Sequence, residues 1–367
     1  MAEESSTVSH LSVAMTTNEI DNTQTMSADS MTSSFIFGTD FYLKFTVILM
    51  GAVGTVGNGL VLYAMYVSKQ HRKQVLIFNQ NALDLLSSFN LIISYAVQIC
   101  NFHLTGALGY WLCIVFISEN LVWWGTNGSM VNLAIITLDR YLKVVYPNMS
   151  KKYLRRWVIY SAGAFAWFVG IVYNTVLVYY STLVIDGLCH SFSIFESHAA
   201  KMASVIFYVL FFYFIILTIF IFCYWRILVA IRRQAKVMAS HSAAGTSNPN
   251  QAQSHKNQSN VIKTMILVSA FYAVAWAPHN FYYLLVSSAL FPGLSFADNG
   301  YYSTMFIAFI YTCTNPFIYA IKFDPVKKVL IKMIPCKKNT VQPSDNTMST
   351  GTSTGNKRTR PGASVVT

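Results

Sequence analysis

Charge is what this sequence has least of. Among its 367 residues only 11% are Asp, Glu, Lys or Arg, while 54% are hydrophobic. Soluble domains carry roughly 25% charged residues. Most of the chain therefore belongs in a solvent where charge is costly; a charge at the bilayer centre costs about 2.5–3.5 kcal/mol on insertion scales. Lys and Arg are absent from Met1–Leu43, which holds Glu3, Glu4, Glu19, Asp21, Asp29 and Asp40. Residues 1–34 contain no apolar core of the kind a signal peptide needs, so the first span is expected to act as its own insertion signal. There is no HExxH, no P-loop and no nucleophile elbow. Metalloprotease, nucleotide-hydrolase and serine-hydrolase chemistry thus have no residues to rest on, and the chain reads as no enzyme.

What is present is a series of long uncharged gaps. No charge falls between Lys44 and Lys69, and only Asp84 falls between Lys73 and Glu119. Five further gaps follow, and a bilayer span needs about 20 mostly apolar residues. The pattern predicts an all-α membrane protein with seven helices near 41–67, 75–100, 111–145, 157–180, 202–230, 261–288 and 301–321. Lys and Arg cluster in the loops near 68–74, 146–156 and 231–262 and in the C-terminal tail, with only Lys44 and Lys201 on the other side. The positive-inside rule then puts the N-terminus outside and the C-terminus in the cytoplasm. A net charge of +12 is on this reading a topology signal. Because the basic residues border spans, it is not a nucleic-acid patch.

Three polar appendages flank or interrupt the membrane core at 41–335. Residues 1–40 read as a disordered extracellular tail. Ala239–Asn260, rich in Ser, Asn, Gln and Ala, reads as a flexible linker in the third cytoplasmic loop near 231–262. Residues 336–367 read as a disordered cytoplasmic tail. Between the core and this tail, Val326, Val329, Leu330 and Met333 recur at helical spacing with Lys327, Lys328 and Lys332 around the turn. That is a short amphipathic helix suited to membrane lipid at the inner surface. Cys336, just beyond it, is a palmitoylation candidate.

Polar residues inside the spans carry the functional signal. Asp84 sits in mid-span two, with Asn58, Ser129 and Asn315 at similar depth in spans one, three and seven. Two readings stand side by side: a hydrated pocket for a small hard cation such as sodium, held by Asp84, Ser129 and Asn315, or a hydrogen-bonded knot that locks helix packing. Asp139-Arg140-Tyr141 ends span three at its basic end, and Pro278 and Pro316 break spans six and seven. A proline removes a backbone donor and kinks its helix. Gly51, Gly54 and Gly57, three apart in span one, read as packing positions.

Taken in order, these residues resemble the rhodopsin-like G-protein-coupled receptors over about Phe41–Cys336. The motifs are Gly57-Asn58-Gly59-Leu60-Val61, Asn81-Ala82-Leu83-Asp84, Asp139-Arg140-Tyr141, Val145-Tyr146-Pro147, Trp167, Tyr224, Trp276-Ala277-Pro278 and Asn315-Pro316-Phe317-Ile318-Tyr319. The resemblance implies a seven-helix bundle that converts extracellular ligand binding into nucleotide exchange on a heterotrimeric G protein at the plasma membrane. It implies arrestin and a receptor kinase as further partners, and no cofactor beyond the sodium ion. It assigns Asp139, Arg140, Tyr141, Tyr224, Asn315, Pro316 and Tyr319 to the cytoplasmic switch, Trp276 to its connection with the pocket, and Cys113–Cys189 to a disulfide.

Four departures qualify it. Ile216 replaces a usual proline, which predicts a straighter outer half of span five. Tyr272 replaces a usual phenylalanine and brings a hydroxyl into the switch core. Tyr311 replaces an asparagine near the sodium site. The Cys113–Arg140 interval is slightly long, and each extra residue turns a helix by about 100°.

For the ligand, amine receptors of this family carry an Asp about five turns outward of the Arg. That position holds Val122 here, and counting from Cys113 gives Asn120. Glu119 is the nearest acid, either a ligand partner or a solvated rim residue. With Trp276, His279, Asn280, Tyr283 and Tyr302 it forms an expected pocket whose aromatic, hydrogen-bonding rim suits a neuropeptide-like ligand, with amine or lipid as alternatives. A transporter or channel would need polar paths and repeated halves, and neither is visible. A retinal-based light receptor would need a lysine in span seven, and Asn299–Ile321 contains none.

Overall fold

The computed structural model describes residues 41–333, apart from 193–194, 196, 244–248, 289, 292 and 296–297. Seven helices are long and apolar enough to cross a membrane: α1 Phe41–Val67, α2 Val75–Cys100, α3 Gly106–Val145, α4 Arg156–Ser181, α5 His198–Val237, α6 Ser259–Ser288 and α7 Asn299–Lys322. A short helix, α8, follows at Asp324–Met333. A two-residue turn between α4 and α5 joins β1 (Leu183–Ile185) to β2 (Leu188–His190) in an antiparallel hairpin. The bundle has a hairpin end and, opposite it, an end marked by Arg140.

α3 is the central helix and packs against α2, α4 and α5, while α6 packs against α7. It runs close to its neighbours because glycine lines the crossings. A Cβ on Gly125 would lie 2.6 Å from the Leu83 carbonyl of α2, and one on Gly170 of α4 would lie 2.4 Å from the Trp124 carbonyl of α3. In α1, Gly51 and Gly54 abut Ser88 of α2, and Gly57 abuts Pro316 of α7. The glycines of α1 are thus packing positions, as their spacing predicts.

The prolines act as backbone chemistry requires. Pro316 lies inside α7 and has no N–H for the carbonyl of Thr312, four residues earlier. The side-chain amide of Asn58 in α1 donates to that carbonyl at 3.3 Å. The GN motif of α1 and the NP motif of α7 are therefore two halves of one repair. In α8, Val326 is fully buried, Val329 and Leu330 pack against the core, and Lys327, Lys328 and Lys332 are exposed.

Three expectations need correction. α3 begins at Gly106 rather than near 111. It is also not continuous: a π-turn spans Cys113–Ile117, Glu119 takes a left-handed backbone (φ 56°), and regular helix resumes at Asn120. The slightly long interval before Arg140 is absorbed at this break. α5 is not straighter for lacking its proline, because a π-turn at Leu210–Ile215 distorts it instead. The third-loop linker is mostly helical: α5 continues to Ala243 and the helix containing α6 begins at Pro249. Ala, Gln, Ser and Lys in that stretch cost a helix little. The tails at 1–40 and 336–367, with Cys336, lie outside the described residues.

Candidate functional site

At the hairpin end the bundle encloses a cavity of about 770 Å³. β2 roofs it, tied to α3 by a disulfide between Cys113 and Cys189 (Cα–Cα 5.4 Å). The hairpin is also fixed from below, where the Leu104 amide donates to the Gly187 carbonyl at 2.9 Å. Trp123 stands at the cavity's inner face, within 6.1 Å of the His279 ring. Tyr173, Tyr208, Tyr283 and Tyr301 supply much of the remaining wall. The break in α3 delivers Glu119 into this aromatic space, where its carboxyl meets Tyr95, Gln98 and Trp123. Lys44 of α1 and Lys201 of α5 also line the cavity. The rim residues Phe102 and Leu188 are exposed, so the cavity opens at this end.

Beneath the cavity a column of rings runs through the bundle. Trp123 meets Trp276 at 6.2 Å, Trp276 meets Tyr272 at 6.5 Å, Tyr272 meets Phe220 at 5.7 Å, and Phe220 meets Tyr224 at 6.1 Å. Beside this column lies a buried polar network. Ser129 donates to Asp84 Oδ1 at 2.6 Å and Asn315 Nδ2 to Asp84 Oδ2 at 2.8 Å. Gln80 donates to Ser129, Asn132 to Gln80 at 2.8 Å, Asn79 to Asn132 at 3.0 Å, and Trp167 to Asn79 at 2.8 Å. Four helices are laced together by this chain. Asn58 Oδ1 and Asn315 Oδ1 are buried acceptors without a partner among the described residues. Oxygen acceptors of that kind around a carboxylate suit water or a hard cation. Tyr311 is buried against Phe271 and Tyr272.

At the Arg140 end, Arg140 lies 3.6 Å from Asp139 Oδ2 and donates to Gln74, the residue before α2. Lys143, one turn on, donates to Asp139 at 2.8 Å. Tyr224 joins three helices through its hydroxyl: Thr137 of α3 at 3.0 Å and Ser269 of α6 at 2.9 Å. Tyr141 and Arg226 flank Tyr146 just beyond α3. The Tyr141 hydroxyl, then the Arg226 guanidinium, draw the Tyr146 phenol below its ordinary pKa. Tyr319 is buried, its hydroxyl unpaired among the described residues.

Residues 57–319 match the model of the family described as "7 transmembrane receptor (rhodopsin family)". The chain belongs to that family. The receptor is 27% identical to Melanopsin-A of Gadus morhua, over 86% of this chain and 58% of the relative. It is 26% identical to human melanopsin, over 81% and 62%. Galanin receptor type 1 of Rattus norvegicus is 23% identical over 82% of this chain and 85% of its own length. The receptor thus spans less than two thirds of the melanopsins it resembles. The crystal structure of squid rhodopsin superposes with a TM-score of 0.67 at 18% identity, covering 84% of this chain and 89% of that one, which shows the shared fold.

Against this geometry the sequence-derived pocket divides. Glu119, His279, Tyr283 and Tyr302 line the cavity. Trp276 does not; it lies one layer deeper, against Trp123 and His279. Asn280 does not either, since its amide turns back to the Trp276 carbonyl at 2.8 Å. Neither helical count along α3 found a lining residue: Val122 and Asn120 are both buried off the cavity, and the Val122 carbonyl accepts from Ser87 of α2 at 3.0 Å. The count from Cys113 crossed the break, while the count from Arg140 stayed within the regular helix Asn120–Val145 and passed Trp123 by one residue. Lining residues missed include Trp123 on α3, Tyr95 on α2, Tyr173 and Tyr208 on α4 and α5, and Phe309 on α7. An aromatic within a span looks the same in sequence whether it faces lipid or cavity. Among the other cysteines, Cys100 is exposed and Cys223 and Cys313 are buried free thiols. The one lysine of α7 is Lys322, in its last turn.

Proposed function

We propose that the receptor binds an extracellular ligand in the hairpin-end cavity and answers with guanine-nucleotide exchange on a heterotrimeric G protein at the Arg140 end. The hairpin end is extracellular in this reading and the membrane is the plasma membrane. The distribution of Lys and Arg supports that orientation. The observation that carries the proposal is the ring column between Trp123 and Tyr224: it links an open cavity to the hydroxyl that holds α3, α5 and α6 together. A ligand with higher affinity for one packing of that column shifts the population between packings, and by linkage the G protein raises ligand affinity by the same factor.

The ligand is proposed to be the end of a neuropeptide-like chain carrying a basic group toward Glu119. Pockets of roughly 300–1,000 Å³ bury drug-sized ligands, so this one takes one terminus of a peptide while its remainder crosses the exposed rim. Similarity to a galanin receptor is in keeping with this. An amine reaching the same carboxylate is the second reading. Similarity to melanopsins raises a light-receptor reading, which the absence of a mid-span lysine in α7 opposes. Sodium beside Asp84, palmitate at Cys336, and arrestin and a receptor kinase at the Ser/Thr-rich tail complete the proposal.

The test is a nucleotide-exchange screen of the expressed full chain against a peptide library and an amine panel. The expected result is a peptide agonist whose potency falls in Glu119→Gln. Potent activation by a simple amine, lost in the same variant, would reject the peptide reading.

A further inference from the structure

α5 and α6 exchange hydrogen bonds in the middle of the bundle, and they do so reciprocally. The Tyr272 hydroxyl of α6 donates to the Phe212 carbonyl of α5. The Tyr213 hydroxyl of α5 donates to the Ala273 carbonyl of α6 at 3.0 Å. The four residues are two adjacent pairs, Phe212-Tyr213 and Tyr272-Ala273, each giving a hydroxyl and taking one. Tyr272 is fully buried and Tyr213 nearly so.

The backbone explains why a helix carbonyl is available for a side chain. In a regular α-helix the Phe212 carbonyl would accept from the amide four residues on, that of Ile216. In the π-turn the Ile216 amide bonds to Tyr213 instead. The distortion thus exposes a carbonyl much as a proline at 216 would, and Tyr272 takes it. Pro278 of α6 withholds its amide from the Val274 carbonyl, four residues earlier and next to Ala273. The Phe212 acceptor therefore sits at an irregular turn and the Ala273 acceptor beside one, and both donors are tyrosines at the facing position.

We propose that Tyr213 and Tyr272 are positioning residues forming a clasp that holds α6 in its closed packing and sets the ligand-free activity of the receptor. In this packing Arg140 is turned to Gln74 and Asp139, and Tyr224 ties α3 and α5 to α6 through Thr137 and Ser269. The clasp sits between that closed end and Trp276, on the ring column, so an outward swing of the Arg140 end of α6 must strain or break it. A net neutral hydrogen bond supports a population difference of roughly 2- to 10-fold. The clasp extends the proposed coupling and rests on it, but its effect on helix position does not need a G protein.

The experiment uses the full chain in nanodiscs, with Cys100 and Cys336 replaced by serine and spin labels on Arg155→Cys and Lys263→Cys. Distance distributions are recorded without ligand, beside ligand-free nucleotide exchange and thermal melting. Tyr272→Phe and Tyr213→Phe are each expected to raise the longer-distance population roughly 2- to 10-fold, with ligand-free exchange rising in step. If Tyr272→Phe does not fold, Tyr213→Phe tests the other half of the clasp. Lower melting with unchanged distances in the variants would overturn the proposal and leave two structural hydrogen bonds. A shifted distance in a receptor with no exchange activity keeps the clasp and overturns the G-protein reading.

Discussion

Replacing Asp84 in two ways separates the cation from the knot. Asp84→Ala removes both acceptors, leaving the Ser129 proton and the Asn315 amide unpaired in the core. Each buried unsatisfied group costs about 1–3 kcal/mol. Asp84→Asn is gentler. Its oxygen serves Asn315, and its amide can donate to the second lone pair of Ser129, which already accepts from Gln80, so the Ser129 proton is the group that loses its acceptor. That variant also removes a mid-membrane carboxylate, which costs about 2.5–3.5 kcal/mol on insertion scales and offsets the orphaned proton. Without sodium, Asp84→Asn is therefore expected to melt near the parent, and Asp84→Ala about 1–3 kcal/mol below it. At about 2–4 °C per kcal/mol the gap is a few degrees, within reach of a thiol-reactive dye assay on detergent-purified receptor. Repeating the melts in sodium and in choline chloride tests the ion. A bound ion adds RT ln(1 + [L]/Kd) to the folded state, and only the parent should gain. If Asp84→Ala melts with the parent, the two hydrogen bonds do not hold the bundle; if sodium lifts parent and Asp84→Asn alike, no cation sits at this carboxylate.

Arg140→Ala should abolish agonist-driven nucleotide exchange while leaving surface expression largely intact; normal signalling would remove the motif from the switch. Glu119→Gln keeps the shape of the cavity and should weaken a cationic agonist roughly 10-fold or more, since hydrogen bonds to charged groups contribute about 1.5–3 kcal/mol; unchanged potency would place the ligand elsewhere. Gly170→Ala pushes a methyl to 2.4 Å from the Trp124 carbonyl and should lower stability by about 1–3 kcal/mol. Gly59→Ala, which meets nothing within 4 Å, should not; equal melting curves would show that α3 and α4 yield freely. Mapping of non-reduced peptides should find Cys113 joined to Cys189, with Cys100 open to alkylation.

Most of the bundle was legible in the sequence because bilayer energetics act on whole segments. Twenty residues without charge are hard to mistake, and all seven spans lie where the charge gaps put them, with α3 starting five residues earlier and α5 ending seven later than expected. Polar residues in those spans were legible for the same reason: Asp84, Ser129 and Asn315 do meet. What escaped was anything set by local backbone irregularity. Neither π-turn carries a proline or glycine to announce it, and the left-handed residue at the break in α3 is a glutamate. The unforeseen break misled the count from Cys113 to Asn120 and left Glu119 undecided between rim and cavity, while the count from Arg140, wholly within the regular helix Asn120–Val145, passed Trp123 by one residue to Val122. The linker around Ala239–Asn260 failed differently. Its polarity predicted exposure, but polarity does not oppose a helix, and α5 and α6 extend into it.

The break at Ser118–Glu119 makes α3 two rods with a joint. Cys113 sits on the outer rod and fastens it to the hairpin; Trp123 and Arg140 ride on the inner one. Residue-by-residue correspondence with relatives that lack the joint holds inward of Asn120 and loses phase outward of it. A ligand designed by borrowing contacts from such a relative would be correctly seated near the tryptophans and rotated near the roof. The joint also divides the labour of variation: substitutions on the outer rod can reshape the entrance without turning the inner rod, so selectivity for new ligands can change while the transmission machinery stays fixed.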